Sequence, residues 1–452
     1  MHAARKLLSF VLCAVLLLSL SAAAFADSSP SPFELTVRID GAGDAAVRAY
    51  ADCYAGNLYL SLTDLSLALR GTDKQFRMEL SYNPDDGEFF VVRTGQSAAA
   101  DGRTRLITAP EPGVTPLGLT RNRLYLDESE RKYYTYRSTD RDLYMHLTDV
   151  QLMLDLTAQL QSDGSVRLDP GKPFAPDLNA LIADGYFDAF NGIVLADADT
   201  GKALYTSSPN RVAPIASLSK LMSYLLLAEA MDDGRLHESD IVPISKDASQ
   251  LSLTIDGIIH LAEGARVPVS ELMDAMLLAS SNECALALAE YTAGSESAFV
   301  EQMREKAAAL GLGTAEFYTP HGLPVYAGGV VSAKLQNRMS ALDLFRLIRT
   351  VLAEHPEITA ITAKKYQRMP SLDYATANSN PLLFNLEGVN GLKTGSTNKA
   401  GYCLAATLPV TAGGETHTVV LVLLGAETAD VRGQAAEILL RYARSYYETN
   451  GF

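Results

Sequence analysis

A block of alternating apolar and polar residues occurs twice in the first third of the chain. Residues 58–65 read Leu-Tyr-Leu-Ser-Leu-Thr-Asp-Leu, and residues 143–150 read Leu-Tyr-Met-His-Leu-Thr-Asp-Val. The alternation predicts a short strand, and the Thr-Asp pair can cap a following helix, over 65–69 in the first copy and 150–154 in the second. Further alternating strands follow each copy, with a polar turn at 162–164 in the second. The pattern predicts a small α+β domain with an internal duplication.

The second half of the chain has longer apolar segments. A helical middle separates two predicted strands from three later ones, and a terminal helix is predicted over 429–447. The strands are predicted at 192–196, 202–205, 391–394, 402–407 and 416–424. Hairpins joined in this way favour a five-stranded antiparallel sheet with helices packed on it, an α/β fold of the α+β type.

The N-terminus and the middle of the chain carry boundary signals. Arg5 and Lys6 precede an apolar run at 7–20 and a small-residue site at 24–26, the pattern of a secretory signal peptide. We therefore predict export and cleavage after residue 26, with an uncleaved membrane anchor as the alternative. The segment 169–176 is rich in Pro and Gly, which predicts an interdomain linker.

Length and charge set the organisation and limit the partners. The 452 residues, 48% of them hydrophobic, are enough for two or three ordered domains with their own cores. The net charge of −15 becomes −17 once the two basic residues of the signal are removed, which argues against nucleic acid or anionic lipid as a partner. We predict a signal peptide at 1–26, an N-terminal accessory domain at 27–170, a linker at 171–176 and a C-terminal domain at 177–452.

Cysteine and histidine usage limits the chemistry. Beyond residue 26 the chain contains Cys53, Cys284 and Cys403, too few and too scattered for a disulfide framework. There is no Cys-x-x-Cys pair, and the seven histidines are not spaced as metal ligands. We therefore predict neither a metal site nor another cofactor. Cys284 and Cys403 are expected to be small buried side chains.

The first candidate for catalysis is Ser217-Leu218-Ser219-Lys220, which follows Pro214 and is predicted to open an amphipathic helix running through Leu227. A spacing of three residues places Ser217 and Lys220 on one helix face. A lysine kept neutral by desolvation can then take the serine proton. Alone the motif is weak, since a helix-capping serine followed by a solvated lysine has the same pattern.

The second and third candidates are Ser280-Ser281-Asn282 and Lys393-Thr394-Gly395. In the second motif, Ser280 would relay a proton and Asn282 would donate to Lys220 and to a substrate amide. In the third, an edge strand would bind an extended peptide, Lys393 would polarise the site, and Gly395 would let the substrate approach the backbone. The alternative for the second motif is a break between two helices, and the alternative for the third is an exposed lysine in a hairpin.

The three motifs together, in this order, resemble those of the penicillin-recognising serine enzymes. The surrounding segments sharpen the resemblance to the low-molecular-mass D-alanyl-D-alanine carboxypeptidases, peptidase family S11, over about 187–447. These segments are LADADTGKAL at 195–204, PIASLSKLM at 214–222, FYTPHGL at 317–323 and GVNGLKTGSTNKAGYCL at 388–404. The resemblance implies a β-lactamase/penicillin-binding-protein-like fold for the C-terminal domain.

The family resemblance also implies a role for each matching residue. It implies Ser217 as nucleophile, Lys220 as base, and a contact between Arg432 and the free carboxylate of the substrate. The backbone N–H groups of Ser217 and Ser396 would form the oxyanion hole. The remaining assigned side chains are Ser280, Asn282, Lys393 and Thr394. The implied substrate is a peptidoglycan stem peptide ending in D-Ala-D-Ala, and the implied inhibitors are β-lactams.

Several alternatives remain open. A D,D-endopeptidase or a β-lactamase shares the motifs, although no Glu-x-x-x-Asn element for β-lactamase deacylation occurs between Asn282 and Lys393. A non-catalytic wall-binding module would keep the fold without the chemistry. His321 is expected to be structural, because a lysine base needs no histidine. The N-terminal domain has no catalytic residues of its own and is expected to act as a spacer or to contact the wall or an envelope protein, outside the cytoplasm.

Overall fold

The structure, a computed structural model, divides into two compact units, Met1–Pro176 and Asp177–Phe452. The predicted signal peptide at 1–26 and Cys53 lie outside the described residues. The residues that the structure describes are 33–52, 57–83, 87–95, 118–120, 124–126, 129–131, 135–137, 142–183, 185–254, 256–327, 330–331 and 335–452. No helix in these ranges combines the length and the apolarity needed to cross a membrane.

The described part of the first unit consists mainly of strands. These strands are numbered β1 to β12 in chain order: Phe33–Ile39, Gly43–Asp52, Asn57–Ser61, Phe76–Asn83, Gly87–Thr94, Gly118–Thr120, Leu124–Leu126, Ser129–Arg131, Thr135–Arg137, Leu143–His146, Thr157–Leu160 and Val166–Asp169. Eight of them form one sheet in the order β11-β12-β1-β2-β3-β10-β9-β6, and β4-β5-β7-β8 form a second sheet. The helices Leu62–Ala68 and Leu147–Leu154 follow β3 and β10.

The two copies of the repeated block form the same strand-helix unit. Strands β3 and β10 pair antiparallel, with Leu60 opposite Met145. The predicted helix starts were wrong by three residues, because the caps are not the Thr-Asp pairs. Instead the Ser61 hydroxyl accepts from the Asp64 N–H at 3.1 Å, and His146 Nδ1 accepts from the Thr148 N–H at 3.2 Å. Each helix therefore begins directly after its strand.

A buried polar network sits beside the first of these helices. Asp142 is inaccessible to solvent, and it accepts hydrogen bonds from Ser61 Oγ at 2.6 Å and Thr63 Oγ1 at 2.7 Å. Arg48 bridges it to Asp64, with Nη2 at 2.8 Å from Asp142 and Nε at 2.8 Å from Asp64. A buried carboxylate is tolerated when it is paired and hydrogen-bonded in this way. Removing Arg48 would take away the positive charge that pairs with Asp142.

The predicted linker makes hydrogen bonds within the first unit. The Thr157 N–H donates to the Lys172 carbonyl at 3.0 Å, and the Thr157 hydroxyl donates to the Pro173 carbonyl at 2.8 Å. Phe174 is buried, and its N–H donates to Asp155 at 3.2 Å. Residues 172–174 are therefore held against the strand Thr157–Leu160 and the turn before it.

The second unit is built on an antiparallel sheet. Its described strands, β13 to β25, are Gly192–Asp197, Ala203–Ser207, Val212–Pro214, Ile241–Pro243, Arg266–Pro268, Tyr326–Ala327, Val330–Val331, Arg338–Ser340, Tyr366–Met369, Tyr374–Ala377, Gly391–Thr397, Gly401–Ala412 and Glu415–Ala426. The main sheet has the order β14-β13-β25-β24-β23, and all its neighbours are antiparallel. The predicted five-stranded antiparallel sheet is confirmed. Strand β23, which carries Lys393, lies at one edge.

Helices pack on this sheet. The described α-helices of the second unit are Leu178–Ala183, Lys220–Asp232, Lys246–Ser252, Val269–Asp274, Asn282–Ala293, Glu296–Ala309, Ala341–Glu354, Ile358–Thr362, Leu382–Asn385 and Ala429–Asn450. The terminal helix Ala429–Asn450 contacts β24 and β25, and Ala341–Glu354 contacts β25 and β13. The helix Lys220–Asp232 is buried at nearly every position, so the predicted amphipathic helix was wrong. A helix that is buried on all sides lies inside the core, and Lys220 is therefore buried as well.

Candidate active site

The segment that carries Ser217 is held tightly by its neighbours. It follows β15 and forms a 3₁₀ turn, Ala216–Ser219, which leads into the helix Lys220–Asp232. A Cβ atom added to Gly322, whose φ is +92°, would lie 2.0 Å from the Ala216 carbonyl oxygen, and one added to Gly395 would lie 2.9 Å from the Ser217 nitrogen. Only glycine fits where backbones approach this closely. The absence of a side chain at these two glycines therefore lets the neighbouring backbones pack directly against the backbone of the candidate nucleophile.

Lys220 lies at the centre of the site and is inaccessible to solvent. Its Nζ is 2.9 Å from Ser217 Oγ, 2.8 Å from Asn282 Oδ1 and 2.8 Å from the His321 carbonyl oxygen. Burial lowers the pKa of Lys220 to about 7, although nearby Glu283 acts in the opposite direction. A substantial neutral fraction is thus present at neutral pH. An amine in that state, at hydrogen-bond distance from a hydroxyl, can serve as a proton acceptor.

The second motif sits between two helical segments. A π-helical turn, Ala275–Ala279, ends at Ser280 in the left-handed conformation with φ of 66°, and the Ser281 hydroxyl caps the next helix by accepting from the Cys284 N–H at 3.1 Å. Asn282 accepts from Lys220 through Oδ1, so the prediction that it donates to Lys220 was wrong. In the described part of the chain no hydrogen bond joins the Ser280 hydroxyl to Ser217 or Lys220.

The third motif lies on the edge strand β23. Lys393 is buried, which rules out an exposed hairpin lysine, and its Nζ donates to the Thr394 carbonyl at 3.0 Å. Burial, together with the charges of Lys220 and Arg432, holds the pKa of Lys393 well below its usual value. Ser396 follows on the same strand and is exposed.

Ser379 contacts the third motif, and no sequence pattern predicted this residue. Its hydroxyl is 2.7 Å from the Thr394 hydroxyl, and its N–H donates to the Leu278 carbonyl at 3.0 Å. It thereby links the strand of the third motif to the turn before the second motif. The His321 carbonyl, which binds Lys220, was missed in the same way. Backbone and loop contacts of this kind leave no spacing signal in a sequence.

Arg432 lies on the first turn of the helix Ala429–Asn450, where the Thr428 hydroxyl caps the helix by accepting from the Val431 N–H at 3.1 Å. Only 7% of its surface is accessible. The guanidinium carbon lies 5.9 Å from the centre of the Tyr402 ring, and Nε is buried without a hydrogen-bond partner among the described residues. A buried guanidinium with an unused donor is suited to an anionic ligand.

His321 has the surroundings of a structural residue. Its Nδ1 accepts from the Leu323 N–H at 3.1 Å, and its Nε2 lies 3.7 Å from Glu296. Burial lowers the pKa of His321 to about 3, so the ring is neutral. Cys284 and Cys403 are buried free thiols, as expected, and burial raises the pKa of both.

One group in the described part of the chain has the geometry of metal ligands. Donor atoms of Asp197, Asp199 and His417 lie within 4.8 Å of one another. Protein contacts already use these atoms, since Asp197 Oδ2 is 2.7 Å from His417 Nδ1 and Asp199 Oδ2 accepts from the Thr418 N–H at 2.7 Å. None of these residues belongs to the three motifs.

The known sequences that are similar to this chain include D-alanyl-D-alanine carboxypeptidases and a D-alanyl-D-alanine endopeptidase. The profile of a peptidase family, S11, described as D-alanyl-D-alanine carboxypeptidase, matches residues 188–428. The carboxypeptidase DacF of Bacillus subtilis is 34% identical over 261 residues, 57% of this chain and 62% of that protein. DacD of Escherichia coli is 32% identical over 281 residues, 61% and 67% of the two chains. A D-alanyl-D-alanine endopeptidase of Pseudomonas aeruginosa is 29% identical over 263 residues, 57% and 76%.

Solved structures show the same relationship. PBP3 of Streptococcus pneumoniae, described as a peptidoglycan synthesis regulatory factor, has a TM-score of 0.52 and 32% identity, covering 57% of this chain and 72% of that one. Penicillin binding protein 6B of Escherichia coli has a TM-score of 0.50 and 32% identity, covering 56% and 77%. The similar region thus spans less than two thirds of the length of DacF, and more than two thirds of each of these two solved chains.

Proposed function

The chain belongs to the D-alanyl-D-alanine carboxypeptidase family of serine peptidases, and from this premise we propose that it removes the C-terminal D-alanine from peptidoglycan stem peptides. The observation that carries the proposal is the 2.9 Å contact between Ser217 Oγ and the buried amine of Lys220. A serine hydroxyl is a weak nucleophile until a neighbouring base takes its proton. The low pKa of Lys220 supplies such a base at neutral pH.

The chemistry proceeds through an acyl-enzyme. Ser217 Oγ attacks the carbonyl of the penultimate D-alanine while its proton passes to Lys220. The backbone N–H groups of Ser217 and Ser396 stabilise the oxyanion. The C–N bond then breaks, and the proton passes from Lys220 through the Ser280 hydroxyl to the leaving amine of D-alanine. Water hydrolyses the ester in a second step and restores Ser217.

The substrate carboxylate explains why the enzyme acts at chain ends. Burial and the positive charges of Lys220 and Arg432 lower the pKa of Lys393, so a positive charge on Lys393 is disfavoured in the free enzyme. A substrate carboxylate bound beside Lys393 and Arg432 would favour that positive charge and accept a hydrogen bond from the free Nε of Arg432. An internal peptide bond carries no such charge. The arrangement therefore favours a carboxypeptidase over a D,D-endopeptidase, which remains the alternative on the same fold.

The same site would be acylated by penicillins, because a β-lactam presents a strained amide and a carboxylate to the same groups. A β-lactamase would release the acyl group rapidly. The chain lacks the Glu-x-x-x-Asn element between Asn282 and Lys393 that one large class uses for this step. We therefore assign slow release of the penicilloyl group, with β-lactams acting as inhibitors.

The proposed location is the cell envelope, outside the cytoplasm. Residues 1–26 direct export, either as a cleaved signal peptide or as an uncleaved anchor. The first unit, whose described part has no catalytic motif, contacts the wall or an envelope protein or acts as a spacer. No cofactor takes part in the proposed reaction.

A direct test is release of free D-alanine from a soluble pentapeptide ending in D-Ala-D-Ala by the purified chain. We expect release by the wild-type protein and none by Ser217→Ala. A wild-type protein that releases no D-alanine, yet is folded, would contradict the proposed activity. Rapid turnover of a chromogenic cephalosporin would favour the β-lactamase alternative.

A further inference from the structure

A buried carboxylate lies directly behind the second motif. Glu283 follows Asn282 in the first turn of the helix Asn282–Ala293, and its side chain is inaccessible to solvent. Burying a carboxylate is costly unless hydrogen bonds or positive charge compensate it. Glu283 belongs to none of the three motifs, and its burial therefore requires a physical reason of its own.

One oxygen of Glu283 holds a loop. Oε1 accepts hydrogen bonds from the backbone N–H groups of Ile258, at 3.1 Å, and of Ile259. Two residues before Ile258, the Asp256 carbonyl accepts a hydrogen bond from Asn282 Nδ2 at 2.8 Å. Glu283 thus fixes the loop, and the loop in turn fixes the amide of Asn282.

These hydrogen bonds determine the orientation of the Asn282 side-chain amide. Because Nδ2 donates to a carbonyl, the acceptor Oδ1 points toward Lys220 Nζ, at 2.8 Å. The reversed amide would place its oxygen against the Asp256 carbonyl and its NH₂ group against Lys220 Nζ, where the NH₂ group would donate to the lone pair that takes the serine proton. The contact with Asp256 would lose its hydrogen bond, and the Lys220 lone pair would no longer be available to Ser217. The anchored loop therefore selects the amide orientation that the proposed reaction needs.

The other oxygen of Glu283 contributes charge. Oε2 is buried and has no hydrogen-bond partner within the described ranges. Burial lowers the pKa of Lys220, and the Glu283 charge opposes that shift. The other titratable groups acting on Lys220 or affected by it are the thiol of Cys284, the neutral ring of His321 and the buried amine of Lys393. None of these three supplies a negative charge at neutral pH.

We propose that Glu283 is a positioning residue for acyl transfer, which anchors the loop 256–259 that orients Asn282 and places a negative charge beside the proton acceptor Lys220. The inference rests on the proposed acylation of Ser217. The Glu283 side chain makes two contributions, a hydrogen-bond acceptor for the loop and a negative charge near Lys220. Glutamine keeps the first and removes the second, whereas alanine removes both.

The experiment compares Glu283→Gln and Glu283→Ala with wild type in the full chain, by measuring the rate of acylation by fluorescent penicillin against pH. For Glu283→Gln we expect the alkaline plateau to stay within about threefold of wild type and the acid limb to move to lower pH by about one unit, since the lysine loses a stabilising anion. For Glu283→Ala we expect the same shift with a plateau reduced at least about tenfold.

The matched control is Glu290→Gln, two turns further along the same helix, where the carboxylate binds Ser245 Oγ and lies outside the motifs. Its pH profile should coincide with that of wild type. An acid limb of Glu283→Gln that does not move overturns the inference, even if Glu283→Ala fails to fold. Equal plateaus for the folded Gln and Ala variants overturn it as well. A wild-type protein that is not acylated at all refutes the proposed function instead.

Discussion

Replacing Arg432 by alanine tests how the enzyme distinguishes a chain end from an internal bond. Arg432 is only 7% exposed, and its Nε has no partner among the residues that the structure describes. A charge-assisted contact from such a group to a carboxylate is worth about 1.5 to 3 kcal/mol. Because water reaches little of this side chain and screens it weakly, we expect a loss in the upper half of that range, on the order of a hundredfold in kcat/KM.

The assay compares a peptide ending in free D-alanine with the same peptide ending in an amide. For Arg432→Ala the free acid should lose about a hundredfold, whereas the amide, which lacks the charge, should change by about threefold or less. Arg432→Lys keeps the charge but loses the planar fork, so an intermediate loss is expected. Arg444→Ala, on the same helix with a hydrogen bond to the Glu387 carbonyl, is the control and should not change the ratio.

Stability provides an independent check on this reasoning. A buried guanidinium without a partner for Nε gains little from the folded state, so Arg432→Ala should not lower Tm appreciably. Equal losses on the acid and the amide, or no loss on either, would refute the assignment of Arg432 as the carboxylate receptor. A large drop in Tm would show instead that the guanidinium stabilises the fold.

Three further predictions concern the base and the domains. Lys220→Arg should acylate at least about a hundredfold more slowly, because a guanidinium stays protonated at neutral pH, and near-normal labelling by fluorescent penicillin would contradict the lysine base. Since burial lowers the pKa of Lys220 to about 7 and only the neutral amine accepts a proton, the wild-type rate should fall as the pH drops through about 7, and a rate that is flat down to the acid range would contradict this. A chain starting at Pro176 should fold and cleave a soluble pentapeptide, because the second unit has its own core, and failure to fold would show that the units depend on each other.

The parts of the fold that the sequence predicts are those with strong local patterns. Strand β25 was predicted at 416–424 and spans Glu415–Ala426, because a long apolar run has only one consistent position in a buried sheet. Strand β24 was predicted to end at Thr407 but continues to Ala412, since pairing with β25 carries it past Pro409 and its more exposed end. Tertiary pairing decided what local propensity could not.

The first unit shows a different limit. Its two repeated strand-helix blocks were evident from the sequence, but the pairing of β1 with β12 joins strands about 130 residues apart and leaves no local signal. The helix caps were assigned to the wrong residues because Ser61 and His146 lie inside the apparent strands. Asp64, which was expected to cap, instead pairs with Arg48.

In the candidate site, too, the residues with a local sequence pattern were predicted and those without one were not. Ser217, Lys220, Asn282 and Lys393 were found because short motifs combine in a fixed order, and hydrogen bonds join the first three. The contacts that position them could not be found in this way. Ser379 and the His321 carbonyl act through loop and backbone atoms, and Glu283 acts on Asn282 through a loop more than 20 residues earlier in the chain.

The central claim is that Ser217 is the nucleophile that carries the acyl group. The most direct measurement treats the purified chain with penicillin, records the intact mass, and maps the modified residue by peptide sequencing in a mass spectrometer. We predict one penicilloyl group per chain, located on Ser217, and no modification of Ser217→Ala with an unchanged Tm. An adduct on another residue, or one that persists in Ser217→Ala, would contradict the account.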